Sequence, residues 1–167
     1  MSPAPTPSRA GAGGRRRNAR LAAVQALYQI ELSDTPADAP DRIERVIREF
    51  ARYRLGQDID GEEIGEADED LFADIVRGAT ARRAELDGVL ARALSADWPI
   101  ERLEAILRAI LRAGTYELVA RTDVPARVVI SEYLEVAHAF FSGKEPALVN
   151  GVLDRLGRLL REAELGR

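Results

Sequence analysis

Residues 148–160 read LVNGVLDRLGRLL. Leu148, Val149, Val152, Leu153, Leu156, Leu159 and Leu160 recur at steps of three and four, which gathers them on one stripe of an α-helix. Pro146 suits the first turn of that helix, where a missing N–H is harmless, and Ser142-Gly143 stops the segment before it. Moving outward, Val128, Val129, Tyr133, Val136, Ala137 and Phe140 repeat the pattern behind a restart at Thr122 to Pro125. Leu103, Ile106, Leu107, Ile110, Leu111 and Leu118 do the same from Ile100 to about Arg121, with Pro99 placed to open the helix. Residues 71–94 carry Leu71, Phe72, Ile75, Val76, Ala79, Leu86, Val89, Leu90 and Leu94, as one long helix or two. Asp41 to about Leu55 buries Ile43, Val46, Ile47 and Phe50. Leu21, Val24, Leu27, Tyr28 and Leu32 mark the first helix. No stretch alternates as a strand does, so the fold class is all-α, with about six to seven helices. Within the last helix, Gly151 is expected to permit close packing and Asn150 to satisfy a buried group, rather than to hold a ligand.

The 167 residues suit a single domain, here 15–164, made of an N-terminal half (about 15–95) and a C-terminal half (about 96–164). Residues 1–14, MSPAPTPSRAGAGG, read as a disordered tail. Hydrophobic residues at 46% and charged residues at 31% give an ordinary soluble balance. No apolar run approaches the roughly 18 residues of a membrane helix, and no apolar stretch follows the basic start, so a cytoplasmic protein is expected. Cysteine is absent, which excludes disulfides, thiolate nucleophiles and cysteine-bound metal. His138 is the single histidine and has no catalytic neighbour in sequence. No cofactor, metal or enzymatic constellation is expected. Residues 56–70 hold eight acids and no base. Aligning Gly61 with the glycine of a calcium loop puts Gly56 and Ala67 at ligand positions, so this is read as a solvated acidic loop.

Charge is unevenly placed. The chain has net charge −4, from 24 basic and 28 acidic side chains. Arg9, Arg15, Arg16, Arg17 and Arg20 fall in the first 20 residues without one acid, leaving −9 on the remainder. Helix starts favour acids, because the dipole there is positive. Local helix stability therefore does not explain Arg15, Arg16, Arg17 and Arg20, whereas an anionic partner does, and nucleic acid is the commonest such partner. Tyr28 lies further along the same helix, with Asn18, Gln25 and Gln29 along the outer face, a combination that suits unpaired RNA bases. Two plainer readings remain: an organelle transit segment or a solubilising tail. Tyr28 itself sits on the apolar stripe, where a core or half-buried role competes with stacking. Glu104–Arg108, Glu117–Arg121 and Asp154–Arg158 have the spacing of i,i+4 ion pairs. Arg108 and Arg112 are like charges four apart. An acidic partner surface is one reading of that pair, and solvation the other.

Four segments together resemble the NusB family. RRRNARLAAVQALYQIEL (15–32) is similar to its arginine-rich opening helix, and ILRAGTYEL (110–118) to its LR-x-x-x-YEL segment. DVP (123–125) with VVISEYLEVAHAF (128–140) is similar to its turn and following helix, and LVNGVLDRL (148–156) to its closing helix. Order and spacing agree over roughly residues 15–160. The resemblance implies two small packed helical bundles. It also implies a transcription antitermination factor that pairs with NusE, a small-subunit ribosomal protein, on boxA RNA and promotes transcription of ribosomal RNA operons. Other antitermination factors and RNA polymerase would be indirect partners.

Carried over, the RNA-linked positions are Arg16, Arg17 and Arg20, with Arg15 beside them, and Tyr28. Arg108, Arg112 and Lys144 are the candidates for partner contact. Departures from the pattern are Asn18 within the arginine run, Ser131 in place of asparagine, the loop FSGKEPA (141–147), and Leu107 where an acid is common. Two alternatives stand beside this reading. One is an isolated module like the N-terminal domain of ribosomal RNA cytosine methyltransferases. The other is a protein-interaction bundle with an incidental basic start.

Overall fold

The computed structural model describes residues 11–33, 39–53 and 66–166. They form helices α1 (Ala12–Leu32), α2 (Pro40–Tyr53), α3 (Glu69–Ala81) and α4 (Arg83–Ala91), a 3₁₀ turn at Ile100–Arg102, then α5 (Ala105–Ala120), α6 (Ala126–Phe140), α7 (Glu145–Leu160) and the short α8 (Glu162–Leu165). Among the described residues there is no strand, and no helix is long and apolar enough to cross a membrane. The expected tail reached residue 14, but α1 already begins at Ala12, where Arg15 N donates to Gly11 O at 2.9 Å. Residues 1–10 lie outside the described region, as does most of the acidic stretch with its discarded calcium reading.

Local chemistry accounts for the helix boundaries. Asp68 caps α3 by accepting from Leu71 N at 3.0 Å, and Glu69 and Asp70 follow on the positive end of the helix dipole. The 71–94 segment resolves into two helices, which meet at Arg82. Gly78, near the end of α3, lies against the Tyr116 ring of α5, and any Cβ there would overlap that ring. Pro146 opens α7 as expected. The helix expected from Ile100 to Arg121 is interrupted. Pro99 starts only a 3₁₀ turn, Leu103 is extended, and α5 begins at Ala105. Arg108 holds this break by donating from Nη1 to the carbonyl of Leu103.

At the centre lies α5, buried from Leu107 to Leu118 except at Arg108. It packs against α1, α3, α4, α6 and α7. Its flanks meet Phe72, Ile75 and Val76 of α3, Tyr133 of α6, and Val149, Leu153 and Leu156 of α7 in one continuous apolar core. Helices from both sequence halves share that core. In addition to the backbone bonds that Arg121 N and Val124 N donate to Glu117 O and Arg121 O, the carbonyls at the C-terminal end of α5 are gathered by Arg161. Its guanidinium donates to Glu117 O (3.1 Å), Leu118 O (2.9 Å) and Arg121 O (2.9 Å), and also to Val124 O (2.9 Å).

Three local expectations are corrected. Gly151 and Asn150 are exposed, and nothing lies within 4 Å of a Cβ built on Gly151, so this pair faces outward and packs no helix. Glu104 and Arg108 do not pair, because Arg108 is drawn to Glu31 on α1. Glu117 and Arg121 do not pair either. Glu117 is taken by Arg20, and Arg121 reaches Asp74 and Asp123 at 3.3 Å each. Asp154–Arg158 forms as the spacing suggests, at 3.0 Å.

Candidate nucleic-acid interface

The opening turns of α1 present Arg15, Arg16 and Arg17 at the surface. Arg15 and Arg16 have no carboxylate partner among the described residues. The first turn is nonetheless firmly seated, because Asp68 N donates to Arg15 O at 3.0 Å and Asn18 Nδ2 donates to Glu66 O at 2.9 Å. These bonds tie the start of α1 to the entry of α3. Arg17 is exposed but engaged: its Nε and Nη2 donate to Glu132 of α6 at 3.0 and 3.1 Å. The hydrogen bond and charge of Glu132 hold the Arg17 guanidinium above its ordinary pKa.

Arg20 is placed otherwise than the sequence suggests. It lies on the same side of α1 as Arg16 and Arg17, one turn further in, where α5 and α6 cover it. Its side chain is 2% exposed and forms a two-pronged pair with Glu117, itself fully buried, at 2.8 and 2.9 Å. Burial pulls the Arg20 pKa down. The hydrogen bond and charge of Glu117 outweigh that and leave it raised. Tyr133 Oη sits beside this pair without a hydrogen-bond partner among the described residues. Burial, then the Glu117 charge, push its pKa well above the ordinary phenol value. As placed, Arg20 ties α1 to α5 and is shut off from the surface.

Tyr28 is 37% exposed and lies at an open cleft of about 680 Å³, flanked by Gln25, Gln29, Phe50, Ile106 and Phe140. Gln25 Oε1 is buried there without a hydrogen-bond partner among the described residues. The cleft joins aromatic faces with amide groups, the two features that hold an unpaired base. Its α2 and α6 members, Phe50 and Phe140, read in sequence as core positions. Only the folded arrangement brings them beside Tyr28.

The partner candidates separate. Arg112 is buried, donating to Asp87 of α4 at 2.8 and 3.0 Å and approaching Glu31 at 3.5 Å. Arg108 is half-buried and donates to Glu31 at 2.6 and 2.9 Å. Glu31 and Asp87 thus offset the like charges that sequence spacing sets four apart, and both arginines hold α1, α4 and α5 together. Lys144 is exposed and lies at a groove of about 580 Å³ beside Trp98, Leu107 and Leu148. Trp98, 59% exposed and next to Pro99, carries no functional signal in sequence. His138 is exposed on α6, and no cluster of three metal-ligating side chains occurs among the described residues.

Comparison with known proteins bears on this arrangement. The sequence model of the NusB family matches residues 17–158. A transcription antitermination protein NusB of Caulobacter vibrioides is 47% identical over 147 residues, covering 88% of this chain and 95% of that protein. One from Brucella ovis is 44% identical over 162 residues, covering 97% and 91%. The structure of T. maritima NusB superposes with a TM-score of 0.63 at 28% identity, over 86% of this chain and 90% of that one.

Proposed function

Because the chain belongs to the NusB family, we propose that it is an RNA-binding antitermination factor, which joins NusE on boxA RNA in the cytoplasm and promotes transcription of ribosomal RNA operons. It acts by binding and not by catalysis. The observation that carries this reading is the pair of exposed cations Arg15 and Arg16, without a carboxylate partner among the described residues, on a helix that runs on to the Tyr28 cleft. Phosphates meet the arginines, and splayed bases reach the aromatic and amide groups. The rest of the chain, residues 21–167, carries net charge −9 and repels RNA at long range. Salt screens that repulsion beyond about 8 Å. A basic ribosomal protein is attracted to the same acidic surface and brings RNA contacts of its own, so the second contact gains from high effective concentration. Lys144, beside Trp98, is the proposed partner contact, with Arg108 and Arg112 holding the helices behind it.

Titration of labelled boxA RNA with this protein, with and without saturating NusE, tests the reading. NusE should tighten binding by about tenfold or more, a coupling of at least roughly 1.4 kcal/mol. Equal affinities in the two titrations would refute the cooperative mechanism. Changing Arg15 and Arg16 together to alanine should weaken binding and lower the salt slope by about 1.4, at roughly 0.7 per lost phosphate contact. An unchanged slope removes the arginine edge from the interface.

A further inference from the structure

One of the three exposed arginines on the α1 edge is already occupied. Arg17 donates to both carboxylate oxygens of Glu132, a residue 115 positions away in the chain. The Arg17 side chain is 55% exposed and that of Glu132 16%. A guanidinium has five N–H donors. Glu132 takes two, leaving three that face no partner among the described residues. The pair is neutral as a unit, so Arg17 adds little to the positive field beside Arg15 and Arg16.

This pair is not the main tie at the edge: α1 is held against α5 by Arg20–Glu117 and against α6 by packing. Residues 1–20 contain no acid, so no carboxylate of that same segment neutralises the arginine edge. Glu132 is the carboxylate that α6 nevertheless brings into contact with it. A phosphate that approaches Arg17 meets this carboxylate, and must displace it or tolerate a like charge within the same pair.

We infer that Glu132 is a built-in competitor for RNA phosphate at Arg17, which holds the affinity of the arginine edge below what its three exposed cations would give. The inference rests on the RNA-binding reading above. Glu132 acts through Arg17 and is a restraining residue; it does not touch RNA. Freeing Arg17 adds one phosphate contact. Near 0.1 M salt, one single-strand contact with a slope of about 0.7 corresponds to roughly fivefold in affinity.

The test compares Glu132→Gln with Glu135→Gln in the full-length chain, using labelled boxA-type RNA over a range of salt concentrations. Glu135 lies three residues further along α6. It acts on Arg17 through its charge and makes no hydrogen bond to it. Both variants remove one negative charge, but only Glu132→Gln releases the bidentate grip. Glu132→Gln should tighten binding about fivefold and steepen the salt slope by about 0.7. Glu135→Gln should tighten it less than about twofold, since that exposed charge is screened. In an Arg17→Ala background the Glu132→Gln gain should fall to the Glu135→Gln level. Thermal unfolding of each variant checks that the fold is kept. Equal effects of the two glutamine variants, or weaker binding by Glu132→Gln, overturn the inference while the RNA-binding reading stands. Failure of the unaltered protein to bind the RNA, with NusE or without it, overturns both.

Discussion

Arg16 and Arg20 stand one turn apart on the same side of α1 and have opposite surroundings. Arg16 is exposed and unpartnered among the described residues, whereas Arg20 is sealed against Glu117 in the core. Arg17, between them, is exposed but held by Glu132. Within four residues the run passes from open cation, to surface ion pair, to buried ion pair. What sorts them is the partner helix opposite each one. At Arg16 no described helix lies opposite, then α6 comes into reach at Arg17, then α5 closes over Arg20. An arginine run is therefore not one electrostatic object, and its total charge overstates what it offers to an anion.

The sharpest way to break this contrast is to remove Glu117. A buried charge stripped of its partner costs about 3–5 kcal/mol. Glu117→Ala should lower stability by that much in urea unfolding, while the double change Arg20→Met with Glu117→Leu should recover most of it. A loss below about 1 kcal/mol in the single variant would mean that Arg20 finds water, and the division between inner and outer arginines would fail.

A smaller effect should appear at high pH. Tyr116 is pushed up to about 12 by burial, then by its hydrogen bond to Asp74. An acid whose pKa is higher folded than unfolded stabilises the fold fully below its unfolded value, near 10, and loses that contribution as pH climbs toward 12. Tyr133, raised by burial and by the Glu117 charge, works in the same direction. The urea midpoint should hold up to about pH 10 and fall between about 10 and 12, and Tyr116→Phe should make that fall shallower. An identical fall in the phenylalanine variant would remove Tyr116 as a cause.

At the surface the expected changes are slight. Asp154→Ala should cost about 0.3–0.5 kcal/mol, the usual worth of an i,i+4 helix pair. The smallest change belongs to Arg15→Ala with Arg16→Ala, which should leave stability within about 0.5 kcal/mol. A large loss there would give the outer arginines the structural role that is assigned here to Arg20.

The helices were legible in sequence because apolar periodicity is local. The stripes of α6 and α7 and the stops at Pro125 and Ser142-Gly143 need no knowledge of the rest of the chain. The break between Pro99 and Ala105 was not legible, because the contacts that hold it include one from a guanidinium several residues downstream. The ion pairs show the same limit. Asp154–Arg158, on one exposed face, follows from spacing alone. Glu104 and Glu117 have equally good local spacing, but Arg108 and Arg20 find partners across the core at sequence distances of 77 and 97 residues. For the candidate interface, sequence gave the arginines and Tyr28. It could not say which arginine faces inward, nor that Phe50 and Phe140 share a cleft with Tyr28. Asn150-Gly151 misled because glycine within a helix usually signals a close neighbour, and here it faces open space.

Arg161 carries a consequence for the order of assembly. Its guanidinium caps α5 at Glu117, Leu118 and Arg121, which precede it by 40 to 44 residues. During synthesis those carbonyls emerge first; Glu117 O and Arg121 O find local donors in Arg121 N and Val124 N, while Leu118 O has water as its partner until Arg161 follows. The central helix thus receives part of its C-terminal cap from a residue made well after it. Intermediates truncated before residue 161 should breathe at the end of α5 even where the apolar core has already gathered.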